Sequence, residues 1–162
     1  IDTEFYDMLK QFSWCVKSGY AATTIKEKYK NLLSQNTCSI HVRRGDYLNS
    51  PNHHPIQNMN YYMKEIKQMP KDSLFLIFSD DIEWCKQKFK GEQFIYIEGE
   101  EDYIDLYLMS LCHNNIIANS TFSWWGSWLN KNENKKNKCR GPLLHIDHKL
   151  MKGFIIIAKA GL

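Results

Sequence analysis

The sequence lacks the features of a membrane protein and of a disulfide-stabilised secreted protein. No apolar run approaches the roughly 20 residues that cross a bilayer, and no basic–apolar–small signal pattern opens the chain. The five cysteines are scattered, odd in number and never in C-x-x-C spacing, which argues against a disulfide framework or a zinc site. We therefore expect free thiols, a cytoplasmic location and no metal site, with membrane or Golgi association of a longer form left open.

Common nucleotide-binding and hydrolase signatures are also missing. The chain has no G-x-x-x-x-G-K-[ST], G-x-G-x-x-G or G-x-S-x-G, which argues against the common ATPase, dinucleotide-binding and esterase classes. The net charge of +3 is too small to indicate a nucleic-acid partner. With 43% hydrophobic and 24% charged residues, 162 residues suffice for one globular domain. Because the chain starts with Ile1 rather than Met, we expect a piece of a longer protein.

Arginine is scarce, and its placement is uneven. Of the 21 basic residues only three are arginine, namely Arg43, Arg44 and Arg140. Two of the three are adjacent, which in so lysine-rich a chain indicates a task that lysine cannot perform. Because a planar guanidinium binds phosphate or carboxylate through two parallel hydrogen bonds, these two residues indicate an anion site.

Apolar runs and helical periodicities alternate along most of the chain. Residues 1–37 are predicted to be a helical segment in which Gly19 separates two helices. Residues 38–162 are predicted to form one Rossmann-like α/β domain, with a parallel sheet and flanking helices. We predict strands at 38–42, 73–78, 94–97 and 115–118, helices at 61–69, 81–90, 101–112 and 122–129, and a solvated polar loop at 131–140.

Clusters of polar residues follow three of the predicted strands, at 43–46, 79–81 and 119–123. Ligands of open parallel sheets lie beyond the carboxyl ends of the strands, so a site is predicted there. On the first strand His41 and Arg43 project to the same face, and Gly45 permits a tight turn. Arg43 could clamp a diphosphate, or it could form a surface ion pair with Asp46, and spacing alone leaves both open.

Small polar residues precede the last predicted helix, namely Asn119, Ser120, Thr121 and Ser123. Backbone N–H groups and hydroxyls at a helix start form a ready anion site. The alternative is that Ser120 or Thr121 only caps the helix.

Two pairs of carboxylates allow two interpretations each. Asp80 and Asp81 could chelate a divalent ion, but capping of the following helix is the favoured interpretation. Asp102 and Asp105 complement a helix dipole, or one of them hydrogen-bonds to the edge of a base.

Four segments, in order, carry a family resemblance. They are Ser39-Ile-His-Val-Arg-Arg-Gly-Asp-Tyr-Leu48, Phe78-Ser-Asp-Asp81 with Trp84, Asp105-Leu-Tyr-Leu-Met-Ser110 with Cys112, and Ile116-Ile-Ala-Asn-Ser-Thr-Phe-Ser-Trp-Trp125. Between residues 38 and 130 the chain resembles glycosyltransferase family 11, the α-1,2-fucosyltransferases. The resemblance implies one half of a GT-B fold and an inverting, metal-independent enzyme without a cofactor. Its donor would be GDP-β-L-fucose and its acceptor a galactoside hydroxyl of a glycan.

The resemblance also implies roles for individual residues. Arg43 would bind the β-phosphate and stabilise the departing GDP, while Arg44 and Asp46 would shape the site around it. His41 and Asp105 would contact the guanosine. The donor would further be held by the turn residues Asn119, Ser120, Thr121 and Ser123.

Two departures from the family pattern carry expectations of their own. The first motif begins at His41, whereas in the family it lies behind a domain of about 100–150 residues that helps to bind the acceptor. We therefore expect that domain to be largely missing, and a non-catalytic GDP-binding fragment stays an alternative. After Asn130 an apolar strand of the family is replaced by Asn137-Lys-Cys-Arg140, which is expected to cost the sheet an edge strand.

Overall fold

Helices and strands alternate in the computed structural model, which describes residues 3–49, 51–52, 54–133 and 137–138. The helices are α1 (Thr3–Lys17), α2 (Lys26–Lys28), α3 (Lys30–Leu33), α4 (Met59–Ile66), α5 (Ile82–Lys88), α6 (Asp102–Leu111) and α7 (Thr121–Leu129). The strands are β1 (Thr37–Val42), β2 (Leu74–Ser79), β3 (Phe94–Tyr96), β4 (Asn114–Ile116) and β5 (Asn137–Lys138). A π-helical turn spans Ala21–Ile25 and a 3-10 helix spans Asp46–Asn49. The predictions for Cys139, Arg140 and the tail after them fall outside the described residues.

The amino-terminal segment is helical, as predicted, and Gly19 divides it. The φ angle of Gly19 is 78°, in the left-handed region that glycine adopts without steric cost. Beyond it the chain forms the π-helical turn and two short helices instead of one regular helix. On α1 the side chains of Met8, Phe12 and Cys15 are buried in the same apolar cluster as residues of α6. The segment therefore contributes to the core beside the sheet.

The five strands form one parallel sheet in the order β3-β2-β1-β4-β5. Strand β1 pairs with β2 along its whole length, from Thr37 opposite Leu74 to Val42 opposite Ser79. After β3 the chain returns to the other side of β1, so the direction of winding reverses between β1 and β4. The Rossmann-like parallel sheet with flanking helices is confirmed, and likeness to one half of a GT-B protein stays a prediction.

Helices pack on both faces of the sheet, and strand alternation sorts the side chains of β1 between them. Cys38, Ile40 and Val42 join the apolar cluster on the face covered by α4 and α5. His41 points to the opposite face, where its ring lies 5.3 Å from that of Phe122 on α7. The period of two therefore places His41 and its neighbour Val42 in different layers.

Helix α5 begins as predicted. The side chain of Asp81 occupies the N-cap position and accepts a hydrogen bond from the backbone N–H of Trp84 at 3.3 Å. This contact satisfies one of the free N–H groups in the first turn. The capping interpretation of the Asp80–Asp81 pair is thereby confirmed for Asp81.

The prediction that the sheet loses an edge strand near residue 137 is wrong. Asn137–Lys138 forms β5, which pairs in parallel with β4 through Asn115 opposite Asn137 and Ile116 opposite Lys138. The predicted polar loop over 131–140 is wrong at the same two positions. The physical reason is that edge pairing uses backbone N–H and C=O groups, which a polar sequence supplies as well as an apolar one.

Other expectations about apolar residues are confirmed. The four described cysteines, Cys15, Cys38, Cys85 and Cys112, are free and buried. Trp125 is buried in the core, and the partly buried Trp124 and Trp128 pack against that core. Within the described ranges, no helix has both the length and the apolar character needed to cross a membrane.

Candidate active site

A cavity of about 420 Å³ lies beyond the carboxyl ends of β1 and β4, where the sheet reverses its winding. Ligands bind at this point in open α/β sheets because neighbouring loops diverge there and leave a crevice. Six of the nine predicted site residues line it, namely His41, Arg43, Asp46, Asp105, Ser120 and Thr121. Arg43 and the turn before α7 therefore share one cleft.

Arg43 sits at the tip of β1 between two carboxylates. Its Nη2 atom lies 2.9 Å from Oδ1 of Asp46, and its Nε atom lies 3.3 Å from Oδ2 of Asp80. The ion pair with Asp46, one of the two alternatives for this motif, is thus present. It does not remove Arg43 from the cavity, because the arginine side chain is 36% exposed and forms part of the wall.

Asp80 is bound on both oxygens by the turn after β1. The backbone N–H groups of Arg44 and Gly45 donate to Oδ1 and Oδ2 of Asp80, each at 2.9 Å. A Cβ atom on Gly45 would lie 2.7 Å from Oδ2 of Asp80, so the absence of a side chain at Gly45 permits this approach. The carboxylate at position 80 is therefore committed to holding the turn that carries Arg43.

Arg44 points away from the cavity. Its Nε atom lies 3.1 Å from Oδ2 of Asp81, and its guanidinium stacks 4.1 Å from the ring centroid of Trp84. These contacts tie the turn after β1 to the start of α5. The structure thus separates the two neighbouring arginines, with Arg43 on the cavity and Arg44 on the scaffold behind it.

Tyr47 is a wall residue that the sequence reasoning missed. Its hydroxyl donates to the backbone carbonyl of Asn119 at 2.9 Å, and the guanidinium of Arg43 lies 5.6 Å from its ring centroid. The ring of His54 stacks on the ring of Tyr47 at 4.6 Å. The only signal in the sequence was the position of Tyr47 directly after Asp46. Tyr47 connects the loop after β1 to the turn before α7.

His41 is buried at the inner end of the cavity. Its side chain packs on Phe122, and its Nδ1 atom is buried without a hydrogen-bond partner. Burial, and secondly the charge of Arg43, lowers the pKa of His41 to about 3. The imidazole is therefore neutral at physiological pH, with one nitrogen able to donate and the other able to accept a hydrogen bond.

Asp105 is a half-buried carboxyl group that also lines the cavity, with its Oδ1 atom buried. Its Oδ1 atom also lacks a hydrogen-bond partner. Burial raises the pKa of Asp105 to about 8, and the negative charges of Asp102 and Glu100 add to the effect. A ligand group that donates hydrogen bonds to this carboxylate would offset that burial and favour the charged form.

The raised pKa of Asp105 predicts that the wild type and an uncharged variant at this position differ in stability by an amount that depends on pH. Unfolded Asp105 releases its proton near pH 4, but the native carboxyl keeps it until about pH 8. Between these values the unfolded state binds fewer protons, so the contribution of Asp105 to stability declines as the pH rises. Between pH 5 and pH 8, the free energy of unfolding of Asp105→Asn should rise by at least about 1 kcal/mol relative to that of the wild type, as measured by urea unfolding.

The matched control for this prediction is Asp72→Asn, because Asp72 is an exposed carboxylate just before β2 and is not among the charges that act on Asp105. Its stability relative to the wild type should change little between the two pH values. Parallel pH profiles for Asp105→Asn and the wild type would contradict the assignment.

The turn before α7 divides the remaining predicted residues. Ser120 and Thr121 line the cavity, and Ser120 occupies the N-cap position of α7 without a side-chain capping bond. Ser123 does not line it, because its buried hydroxyl donates to the carbonyls of Ala118 and Ser120 at 3.2 Å each. Asn119 contributes its backbone carbonyl to Tyr47 and is also absent from the lining.

The parallel sheet and the polar cavity at its switch point define a Rossmann-like α/β protein with a polar cleft. A model of glycosyl transferase family 11 matches residues 19–136. The match spans more than half of the 162 residues, and the chain belongs to this family.

Named relatives agree with the family. Over 119 residues the chain is 42% identical to the O-antigen biosynthesis glycosyltransferase WbnK of Escherichia coli, across 66% of this chain and 39% of that protein. Over 106 residues it is 42% identical to an alpha-1,2-colitosyltransferase of Escherichia coli, across 58% and 36%. It is 27% identical to galactoside alpha-(1,2)-fucosyltransferase 1 of Leontocebus fuscicollis over 101 residues, across 56% and 28%.

The chain thus spans less than two fifths of the length of each of these relatives. A search of solved structures found no significant match.

Proposed function

We propose that this chain is the donor-binding part of a fucosyltransferase that uses GDP-β-L-fucose. The observation that carries the proposal is the shared cavity, in which Arg43 at the end of β1 faces the start of α7. The names of the relatives support an α-1,2 linkage, since one is a colitosyltransferase and another a galactoside fucosyltransferase, each with that linkage in its name. A galactose-containing glycan is the proposed acceptor.

The proposed donor pose assigns one end of the cavity to the diphosphate. The guanidinium of Arg43 binds the β-phosphate, and the first N–H groups of α7, with Ser120 and Thr121, bind the neighbouring phosphate oxygens. Asp46 and Arg44 shape this end, since Asp46 pairs with Arg43 before the donor binds and Arg44 anchors the turn to α5.

The other end of the cavity is assigned to the guanine base. The buried and unpartnered atoms of His41 and Asp105 are the groups that a base edge would satisfy. Guanine presents N–H donors that a carboxylate can accept, so the base would convert Asp105 to its charged form as it binds.

The proposed reaction inverts the configuration at the sugar. The acceptor oxygen attacks the anomeric carbon from the face opposite the diphosphate, and the bond from that carbon to the β-phosphate oxygen breaks. GDP leaves with the electron pair of that bond, and the acceptor hydroxyl loses its proton. Because negative charge grows on the β-phosphate, the fixed guanidinium of Arg43 stabilises the transition state more than the bound donor. No metal ion is assigned a part in these steps.

Nucleotide binding is the test of this proposal. Isothermal titration and thermal melts with GDP, GDP-fucose and UDP should show binding of the two guanine nucleotides and little or none of UDP. UDP carries the same diphosphate as GDP, but its base is smaller and has a different set of hydrogen-bond donors and acceptors. Uracil would therefore not pair with both His41 and Asp105, whose buried atoms lack partners. Absence of binding at millimolar GDP, or equal binding of UDP, would count against the donor site.

A transfer assay with a β-galactoside then separates two forms of the proposal. Fucose transfer would make the chain an active enzyme. GDP binding with neither fucose transfer nor hydrolysis of GDP-fucose would make it a non-catalytic GDP-binding fragment.

A cytoplasmic location also stays a proposal, based on the four free thiols, and membrane association of a longer form stays a prediction.

A further inference from the structure

The cavity contains more acidic than basic side chains. Arg43 is the single lysine or arginine among the described lining residues, whereas four carboxyl groups line it, those of Asp46, Asp80, Asp102 and Asp105. Arg43 is already in contact with two of these groups. A diphosphate that enters this cavity must therefore compete with carboxylates of the protein for the one guanidinium.

The two carboxylates that contact Arg43 are held very differently. Asp80 accepts two backbone hydrogen bonds, and its side chain is 23% exposed. Asp46 begins a short 3-10 helix, and its side chain is 62% exposed. Water can replace the contact of Asp46 with Arg43 at little cost, because exposed ion pairs contribute little to stability. Displacing Asp80 would leave two backbone N–H groups without their acceptor.

We propose that Asp46 is a displaceable internal competitor for the ligand site on Arg43, and that it lowers the affinity of this site for ligands that carry a diphosphate. This inference rests on the proposed function, because it takes GDP as the ligand. When the diphosphate binds, the Nη2 group of Arg43 exchanges Asp46 for a phosphate oxygen, while Nε keeps its contact with Asp80. Asp46 then turns to solvent.

The exchange affects only ligands that carry phosphate groups. A diphosphate carries more charge than one carboxylate and accepts two parallel hydrogen bonds from the guanidinium, so it outcompetes Asp46. A nucleoside without phosphates has nothing to exchange and leaves the Arg43–Asp46 pair intact. Asp46 therefore lowers the affinity for GDP by the free energy of its own ion pair but has no effect on guanosine.

The test compares GDP and guanosine binding to the wild type and to Asp46→Asn by isothermal titration at low ionic strength. Asp46→Asn keeps the shape of the side chain and removes its charge. It should bind GDP about two- to fivefold more tightly, the equivalent of an exposed ion pair, and guanosine unchanged. The advantage should shrink as salt is added, because salt screens exposed charges. Inorganic pyrophosphate should gain affinity for the variant by a similar factor.

Asp72→Asn is the matched control for the change in net charge. Asp72 is an exposed carboxylate just before the amino end of β2, where it accepts a hydrogen bond from Asn36 at 3.2 Å. Its substitution should leave both affinities unchanged. If Asp46→Asn does not fold, Asp46→Ser is measured in its place.

Two results would overturn the inference. One is GDP binding that is unchanged or weaker in the Asp46 variant, and the other is an equal gain for GDP and guanosine. Either leaves the proposed function standing as long as the wild type binds GDP. Failure of every protein to bind GDP rejects the proposed function and the inference together.

Discussion

GDP affinity is expected to fall about a hundredfold when Arg43 is replaced by alanine. Charge-assisted hydrogen bonds contribute about 1.5–3 kcal/mol each, and Arg43 is placed to make two of them to a phosphate. No other lysine or arginine among the described cavity residues can substitute for it. Isothermal titration of GDP against Arg43→Ala, with guanosine in parallel, measures the loss, which should be confined to the diphosphate nucleotide.

Arg43→Lys and Arg44→Ala are the controls. Arg43→Lys keeps the charge but not the planar pair of donors, so its affinity should lie between those of the wild type and the alanine variant. Arg44→Ala removes contacts with Asp81 and Trp84 outside the cavity. It should lower the melting temperature but change the GDP dissociation constant only a few fold. A larger effect of Arg44→Ala than of Arg43→Ala on affinity would reverse the roles assigned to the two arginines.

A loss of about 3 kcal/mol in the free energy of unfolding is expected for Asn115→Leu. The side-chain amide of Asn115 donates to Oγ of Ser39 at 2.7 Å and to the carbonyl of Met109 at 2.8 Å, and it accepts from Asn130 at 2.7 Å. These atoms are buried where β1, β4, α6 and the end of α7 meet. Leucine would remove these bonds and leave the buried Oγ of Ser39 and the carbonyl of Met109 without this donor, each at a cost of about 1–3 kcal/mol.

Urea unfolding of Asn115→Leu beside Asn36→Ala provides the measurement. Asn36 also uses its side-chain amide, but its bond to Asp72 is exposed, so its substitution should cost about 0.5 kcal/mol or less. Similar losses for the two variants would show that the buried amide network contributes little. The network joins β4 to the helix before it, and β4 leads into the turn that carries Ser120.

Most of the regular elements could be predicted because their signals are local. The near-continuous apolar run before Ser79 identified a strand covered on both faces, and β2 confirms it. Asp81 identified the start of a helix through its capping side chain. Strand β5 could not be predicted in this way, because its pairing with β4 depends on a neighbouring backbone and not on its own side chains.

The candidate site was predictable in part for a related reason. Residues that follow the carboxyl ends of parallel strands lie at the same edge of the sheet. The sequence therefore predicted that Arg43 lies near the start of α7. Whether a given hydroxyl reaches the cavity is a matter of rotation within a turn. Ser120 and Ser123 are three residues apart, yet Ser120 lines the cavity and Ser123 is buried.

The sequence by itself determined the alternation of strands and helices, the placement of arginine at the end of β1 and the family of the protein, since all three are written in local order and spacing. Only the tertiary structure decided which arginine faces the cavity, that Tyr47 closes its wall and that carboxylates surround Arg43. These are facts about side chains from distant segments, and pairs such as Arg43 and Asp80 meet only when β1 and β2 lie side by side.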